Sequence, residues 1–339
     1  MKKIYMAQKF LVIFFIILAA MRLPAQTGNS DETSAPKIQT ENQSRYQINS
    51  NETFLYEKPQ PFQFLLNAPG DIYNYTKHTL KPGNWKNLLG MTILTAMMVH
   101  IDQDITDITQ QQGRNLGIEG TNNVKTVVKV FDQPIQVPTD LSSGMYFIGD
   151  GWTQVTITTS FLTYGLITGD ARALQTTSQL AEGLLSVTFF TQLLKHITGR
   201  QSPVKSTESG GRWDLFPNQV EYHKRVPAYD AFPSGHLAAA TMVVTVISEN
   251  YKEYKFIKPV GYSLMTILAF QMINNGVHWA SDYPLAIAMG YSLGKIAVSR
   301  GRKVIHQSPQ AGYHLDSYSV DLGLVNGGAI GLTAKLYFD

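Results

Sequence analysis

The sequence contains no cysteine. Disulfides, thiolate nucleophiles and cysteine-ligated metal centres are therefore all excluded. Charge is scarce as well. Asp, Glu, Lys and Arg make up 16% of the 339 residues, against roughly 25% in an ordinary soluble domain. Hydrophobic residues make up 44%, so the chain is either membrane-embedded or unusually rich in apolar helix. The formal net charge of +3 is small for this length. Nucleic-acid binding needs basic residues clustered on one face, and no nucleic-acid partner is expected. After the leader described next, no segment is a clean run of the some twenty apolar residues that a comfortable bilayer span needs.

The N-terminus carries three lysines within its first nine residues, an apolar run over residues 10–21, and Leu23-Pro24-Ala25-Gln26 as a cleavage point. This is the pattern of a secretory signal peptide. It predicts a leader over residues 1–26 and export to the cell envelope. Residues 27–60 are rich in Ser, Thr, Asn, Gln and Glu and read as a polar linker without structure of its own.

Six apolar segments follow, at residues 85–100, 145–167, 174–194, 236–247, 256–273 and 283–298. Their lengths suit helices better than strands. The reading is an all-α six-helix bundle over residues 61–306. In the tail, 307–339, two stretches alternate apolar with small or polar residues around Asn326-Gly327-Gly328. That predicts a short C-terminal β-hairpin. Asp102, Asp104 and Asp107 lack the glycine and terminal glutamate of a calcium loop and read as a solvated helix end. His100, His196 and His223 read as structural or exposed.

Three blocks carry chemistry. The first runs from Lys195 through Arg200 to Ser202-Pro203, the second is Pro233-Ser234-Gly235-His236, and the third is Gly276-Val277-His278 followed by Asp282. Each lies at the end of an apolar segment, and in an antiparallel bundle all three reach the same side. Lysine, arginine and a helix N-terminus form an anion site. Gly235 lets backbone approach a phosphate closely, and Ser234 can donate to it. Two histidines offer a nucleophile and an acid/base partner. If one helix carries both His278 and Asp282, they share a face, and the carboxylate can hold one ring nitrogen as N–H.

The three blocks resemble the signature of the type 2 phosphatidic acid phosphatase and vanadium haloperoxidase superfamily, K-x6-R-P, P-S-G-H and S-R-x5-H-x3-D. Lys195 and Pro203 match the first, Pro233 to His236 the second, and His278 and Asp282 the third. The resemblance implies a helical bundle that hydrolyses phosphate monoesters or pyrophosphates, with lipids as the leading substrates, and needs no metal or cofactor. It implies that His278 attacks phosphorus, Asp282 orients it and His236 protonates the leaving oxygen. Lys195, Ser234 and Gly235 would hold the phosphate. Two arginines of the pattern are missing: their positions hold Ser202 and Met272, and Gln271 stands where the third block has serine. Arg200 is the expected substitute. Vanadate chemistry needs the missing arginines. The depleted clamp keeps an alternative open, a non-catalytic or binding protein on a degenerate scaffold. If all six segments crossed a bilayer, the first would start in the cytoplasm, which a cleaved leader forbids. Membrane association with a periplasm-facing site is the expectation.

Overall fold

The computed structural model describes residues 43–130, 133–306, 318–325 and 329–336. The leader expected over residues 1–26 lies outside them. The helices are α1 (Gln63–Thr79), α2 (Trp85–Asn115), α3 (Leu141–Phe147), α4 (Gly151–Thr168), α5 (Ala171–Thr198), α6 (Gln219–Lys224), α7 (Gly235–Asn250), α8 (Ile257–Asn274) and α9 (Tyr283–Ser299). The six apolar segments fall in helices, the second split between α3 and α4 by a break at 148–150, and further helices join them. The first segment continues to Asn115, because Gln, Asp and Thr past His100 sustain a helix already nucleated. The polar stretch 201–230 contains α6, capped by Asn218.

The linker reading of residues 27–60 is corrected in part. β1 (Gln43–Asn49) and β2 (Glu52–Glu57) form a hairpin that β5 (Arg302–His306) extends antiparallel. The alternation that makes β1 a strand is Ser44, Tyr46 and Ile48 inward against Arg45, Gln47 and Asn49 outward. Phe54 and Tyr56 of β2 are fully buried. The Tyr56 hydroxyl donates to the Asn250 carbonyl at 3.0 Å, and that of Tyr46 to Asp170 at 2.6 Å. The sheet thus closes the end of the bundle where α5 starts and α7 stops. A second hairpin pairs β3 (Val124–Val130) with β4 (Gln133–Pro138). Near the C-terminus β6 (Tyr318–Val325) pairs antiparallel with β7 (Ala329–Leu336).

The centre is α7, packed between α9 and α5. The helices come close because glycine faces backbone: a Cβ on Gly290 would lie 2.2 Å from the Ala238 carbonyl oxygen. Leu237, Met242 and Val246 of α7 meet Met289, Leu293 and Ala297 of α9 in the core.

A polar cluster interrupts this apolar interior near the sheet end. Asp71 of α1 and Glu182 of α5 are both about 1% exposed and share Arg300, while Asn67 donates to Glu182 at 2.8 Å. Burial, then the Asp71 carboxylate, pushes the Glu182 carboxyl up to about 9. A carboxyl raised on folding contributes stability that is full below its ordinary value near 4.5 and is lost as pH rises towards 9. Glu182→Gln keeps the acceptor for Asn67 and removes the proton. Its melting temperature is expected to exceed that of wild type by several degrees at pH 9 and to vary less between pH 5 and 9. Thermal unfolding across that range checks this.

Candidate active site

Each block is placed by the end of a helix. α5 stops just past Lys195 because Gly199 takes a left-handed conformation (φ 52°) and its N–H returns to the Lys195 carbonyl at 3.0 Å. α7 begins at Gly235, with the Ser234 hydroxyl accepting from Leu237 N. The third block is a turn between α8 and α9. Backbone bonds tie the blocks to one another. Ser234 N donates to the Asp282 carbonyl at 3.1 Å, Ala231 N to that of Arg200 at 3.0 Å, and Val204 N to that of Gly276 at 2.9 Å. The Trp279 indole N–H donates to the Gln201 carbonyl at 2.7 Å. All three blocks therefore lie together at the bundle end opposite the β1–β2–β5 sheet.

His236, on the first turn of α7, is half-buried, with its ring 4.8 Å from Tyr146 of α3 and 6.3 Å from His278. Burial, then the neighbouring His278 and Lys195, lowers its pKa to about 3, so it is neutral across the physiological range. Lys195 is 7% exposed and lies 3.4 Å from Asp230. A Cβ on Gly235 would come within 3.9 Å of the Lys195 ammonium. Glycine there keeps clear the space between that ammonium and the N-terminus of α7, whose first N–H groups have no partner inside the helix.

His278 is 2% exposed. Its Nδ1 lies 2.7 Å from the Ala231 carbonyl and 3.3 Å from Asp282 Oδ2. Two acceptors call for a proton on Nδ1, so in the neutral ring Nε2 carries the lone pair. The nearer acceptor is a backbone carbonyl, which no residue pattern reveals. His278 and Asp282 do not share a helical face. His278 precedes a short turn, Ala280–Asp282, that Asp282 closes, and Asp282 Oδ2 also accepts from Trp279 N at 2.8 Å.

Two expectations are corrected here. Arg200 does not stand in for a phosphate-clasping arginine. It is fully buried, with its guanidinium 4.7 Å from the Trp213 ring and 5.5 Å from Trp279. Its Nη1 donates to Asp282 Oδ1 and Ser281 Oγ, both at 2.6 Å, and its Nη2 to Asp102 Oδ2 and the Gly210 carbonyl, both at 2.7 Å. Asp102 is not a solvated helix end. It too is fully buried, and it accepts from Ser281 N at 3.0 Å. The physical reason is mutual: a buried guanidinium needs anionic acceptors, and Asp102 and Asp282 supply them. Arg200 is thus a positioning residue behind Asp282.

The vacated arginine positions are filled. Met272 is fully buried, with its sulfur accepting from the Ser234 hydroxyl at 3.7 Å. Gln271 donates to the Glu119 carbonyl at 3.0 Å, and Ser202 is 2% exposed. Lys224 and Arg225 project into solvent and pair with Glu221. Of the residues that the sequence singles out, Lys195, Ser234, Gly235, His236, His278 and Asp282 come together, and Arg200 stands behind them.

Over residues 177–305 the chain matches the model of the PAP2 superfamily, the superfamily that the three blocks resemble. Two solved structures are similar. LpxE of Aquifex aeolicus is 19% identical over 47% of this chain and 83% of its own, with a TM-score of 0.36. A transmembrane PAP2 type phosphatidylglycerolphosphate phosphatase from Bacillus subtilis is 13% identical over 62% of this chain and 92% of its own, with a TM-score of 0.40. No curated protein matches the chain.

Proposed function

We propose that the chain is an exported phosphatase of the cell envelope, acting on phosphate monoesters or pyrophosphates of lipids through a phosphohistidine at His278. The observation that carries this reading is His278 with its Nδ1 held against the Ala231 carbonyl and Asp282, beside His236 and a buried lysine at a helix N-terminus. The family match supports the reaction class. The lysine-flanked apolar run at residues 10–21 supports export.

In the first step His278 Nε2 forms a bond to phosphorus as the phosphorus–oxygen ester bond breaks. The leaving oxygen takes a proton through His236. In the second step His236 removes a proton from water, the water oxygen bonds to phosphorus, and the nitrogen–phosphorus bond breaks. Lys195 holds the non-bridging oxygens together with the first N–H groups of α7. The phosphate displaces Asp230 from that lysine.

With His236 neutral in the free enzyme, the proton for the leaving group must arrive with the substrate. Among the described residues the site offers one lysine, Lys195, and no arginine free of a carboxylate partner, which also suits an ester monoanion. A phosphate monoester loses its second proton near pH 6. Hence kcat/KM is expected to be level below about pH 6 and to fall roughly tenfold per unit above it. Phosphate release from a lipid phosphate, an isoprenoid pyrophosphate and p-nitrophenyl phosphate, measured from pH 5 to 8, tests this. Release from none of them above a His278→Ala background would leave the binding-protein reading instead, which the commitment of Ser234 to Met272 favours.

A further inference from the structure

The N-terminal half of helix α2 turns most of its apolar residues outward, although Met98 and Ile105 pack on the core. The buried residues of α2 are Asp102, Thr106 and Gly113, whereas Trp85, Leu88, Leu89, Ile93, Leu94 and Met97 are exposed, at 38–66%. An ordinary surface helix does the reverse. Exposed apolar residues scattered singly need no account, but a contiguous patch marks a binding surface. This one runs along the N-terminal half of a helix, and Leu80 just past α1 and Tyr73 within it are also exposed, at 69% and 63%.

Charge distinguishes what covers the patch. Residues 72–101 contain no Asp or Glu. The charged side chains in that stretch are Lys77, Lys81 and Lys86, all exposed and gathered where α1 hands over to α2. Trp85 sits among them. A tryptophan and lysines at the rim of an apolar face are the anchors of a membrane interface, and three lysines without a nearby carboxylate attract anionic headgroups. A second copy of this chain would set the same lysines against one another across a two-fold axis. No helix among the described residues is long and apolar enough to cross a membrane, so a surface mode of contact fits. An apolar cleft of about 740 Å³ opens between α1, α2 and α5. It is lined at one side by Leu80, Leu88 and Met91 and at another by Trp213 and Phe232. Phe232 immediately precedes the Pro233-Ser234-Gly235-His236 block.

We propose that the α1–α2 corner is a docking surface for an anionic lipid bilayer, with the lysines on headgroups, the apolar face of α2 below them, and the cleft open to a hydrocarbon chain. The proposal stands without the phosphatase reading, and its test reads no activity. The full chain, free of detergent, is floated with vesicles of phosphatidylcholine alone and with phosphatidylglycerol added. Binding is expected to the anionic vesicles and to weaken in high salt. Lys77→Gln/Lys81→Gln/Lys86→Gln should lower the affinity about 100-fold, at about a factor of five per lysine. Leu89→Ser/Ile93→Ser, which alters exposed positions only, should lower it as well while leaving the melting temperature unchanged. Equal binding by wild type and both variants, or no flotation of wild type, would overturn the proposal. So would a detergent-free dimer that Leu89→Ser/Ile93→Ser turns into a monomer, since the face would then be a protein interface.

Discussion

Arg200→Ala is expected to destabilise the protein by about 3–5 kcal/mol, the usual effect of removing one member of a buried ion pair. The reason is that Asp102 and Asp282, both fully buried, would be left without their shared counterion. Against a total stability of about 5–15 kcal/mol for a typical protein, that is a large fraction. Asp102→Asn should be far milder, because Arg200 keeps Asp282 and the amide preserves the shape. Its effect belongs in catalysis: a guanidinium no longer pulled towards α2 shifts Asp282 and with it His278. A fall in kcat with KM little changed is expected for Asp102→Asn. Chemical denaturation of Arg200→Ala, Asp102→Ala and the double variant measures the coupling, which should be at least about 1 kcal/mol for residues in one network. Strict additivity would mean that the network holds nothing together.

The larger effect on turnover is expected at the histidines. In the proposed mechanism His278→Ala removes the atom that bonds to phosphorus, so hydrolysis should fall to background. His236→Ala should also be severe on a lipid ester, whose alkoxide leaves poorly, by about 10²–10⁴-fold in line with general acid catalysis. On p-nitrophenyl phosphate, whose leaving group needs little protonation, the loss should be much smaller in the first step. Phosphoenzyme should then accumulate, because the same histidine activates the water. The two variants therefore differ in kind: one never forms the intermediate, and the other forms it and fails to clear it.

Much of this site was legible in the sequence because its chemistry is written in short blocks at helix ends. Lys195, the Pro233 to His236 run, and His278 with Asp282 are close neighbours in the chain, and the apolar segments between them carry a helical period. What was hidden depends on tertiary contact. Asp102 reaches Arg200 across 98 positions, and nothing around it in sequence separates it from the exposed Asp104 and Asp107. The Ala231 carbonyl that orients His278 belongs to the backbone, so no residue type announces it. Arg200 was misread for a related reason. Its position two residues before the missing arginine suggested proximity to phosphate, while its direction is set by Gly199 and by the two carboxylates waiting for it. The strands β1 and β2 escaped notice because polar residues on their outer face made the stretch look like linker. The strand β5 that pairs with β2 is some 246 positions away. The outward turn of the apolar residues of α2 was invisible because hydrophobic periodicity shows a stripe without showing which way it faces.

The most direct test of the central claim is to quench His236→Ala during turnover of p-nitrophenyl phosphate and map the trapped phosphate by mass spectrometry. The account predicts an acid-labile, base-stable adduct of one phosphate on His278, and none in the His278→Ala/His236→Ala double variant. Phosphate on another residue, or rapid phosphate release by the double variant, would contradict it.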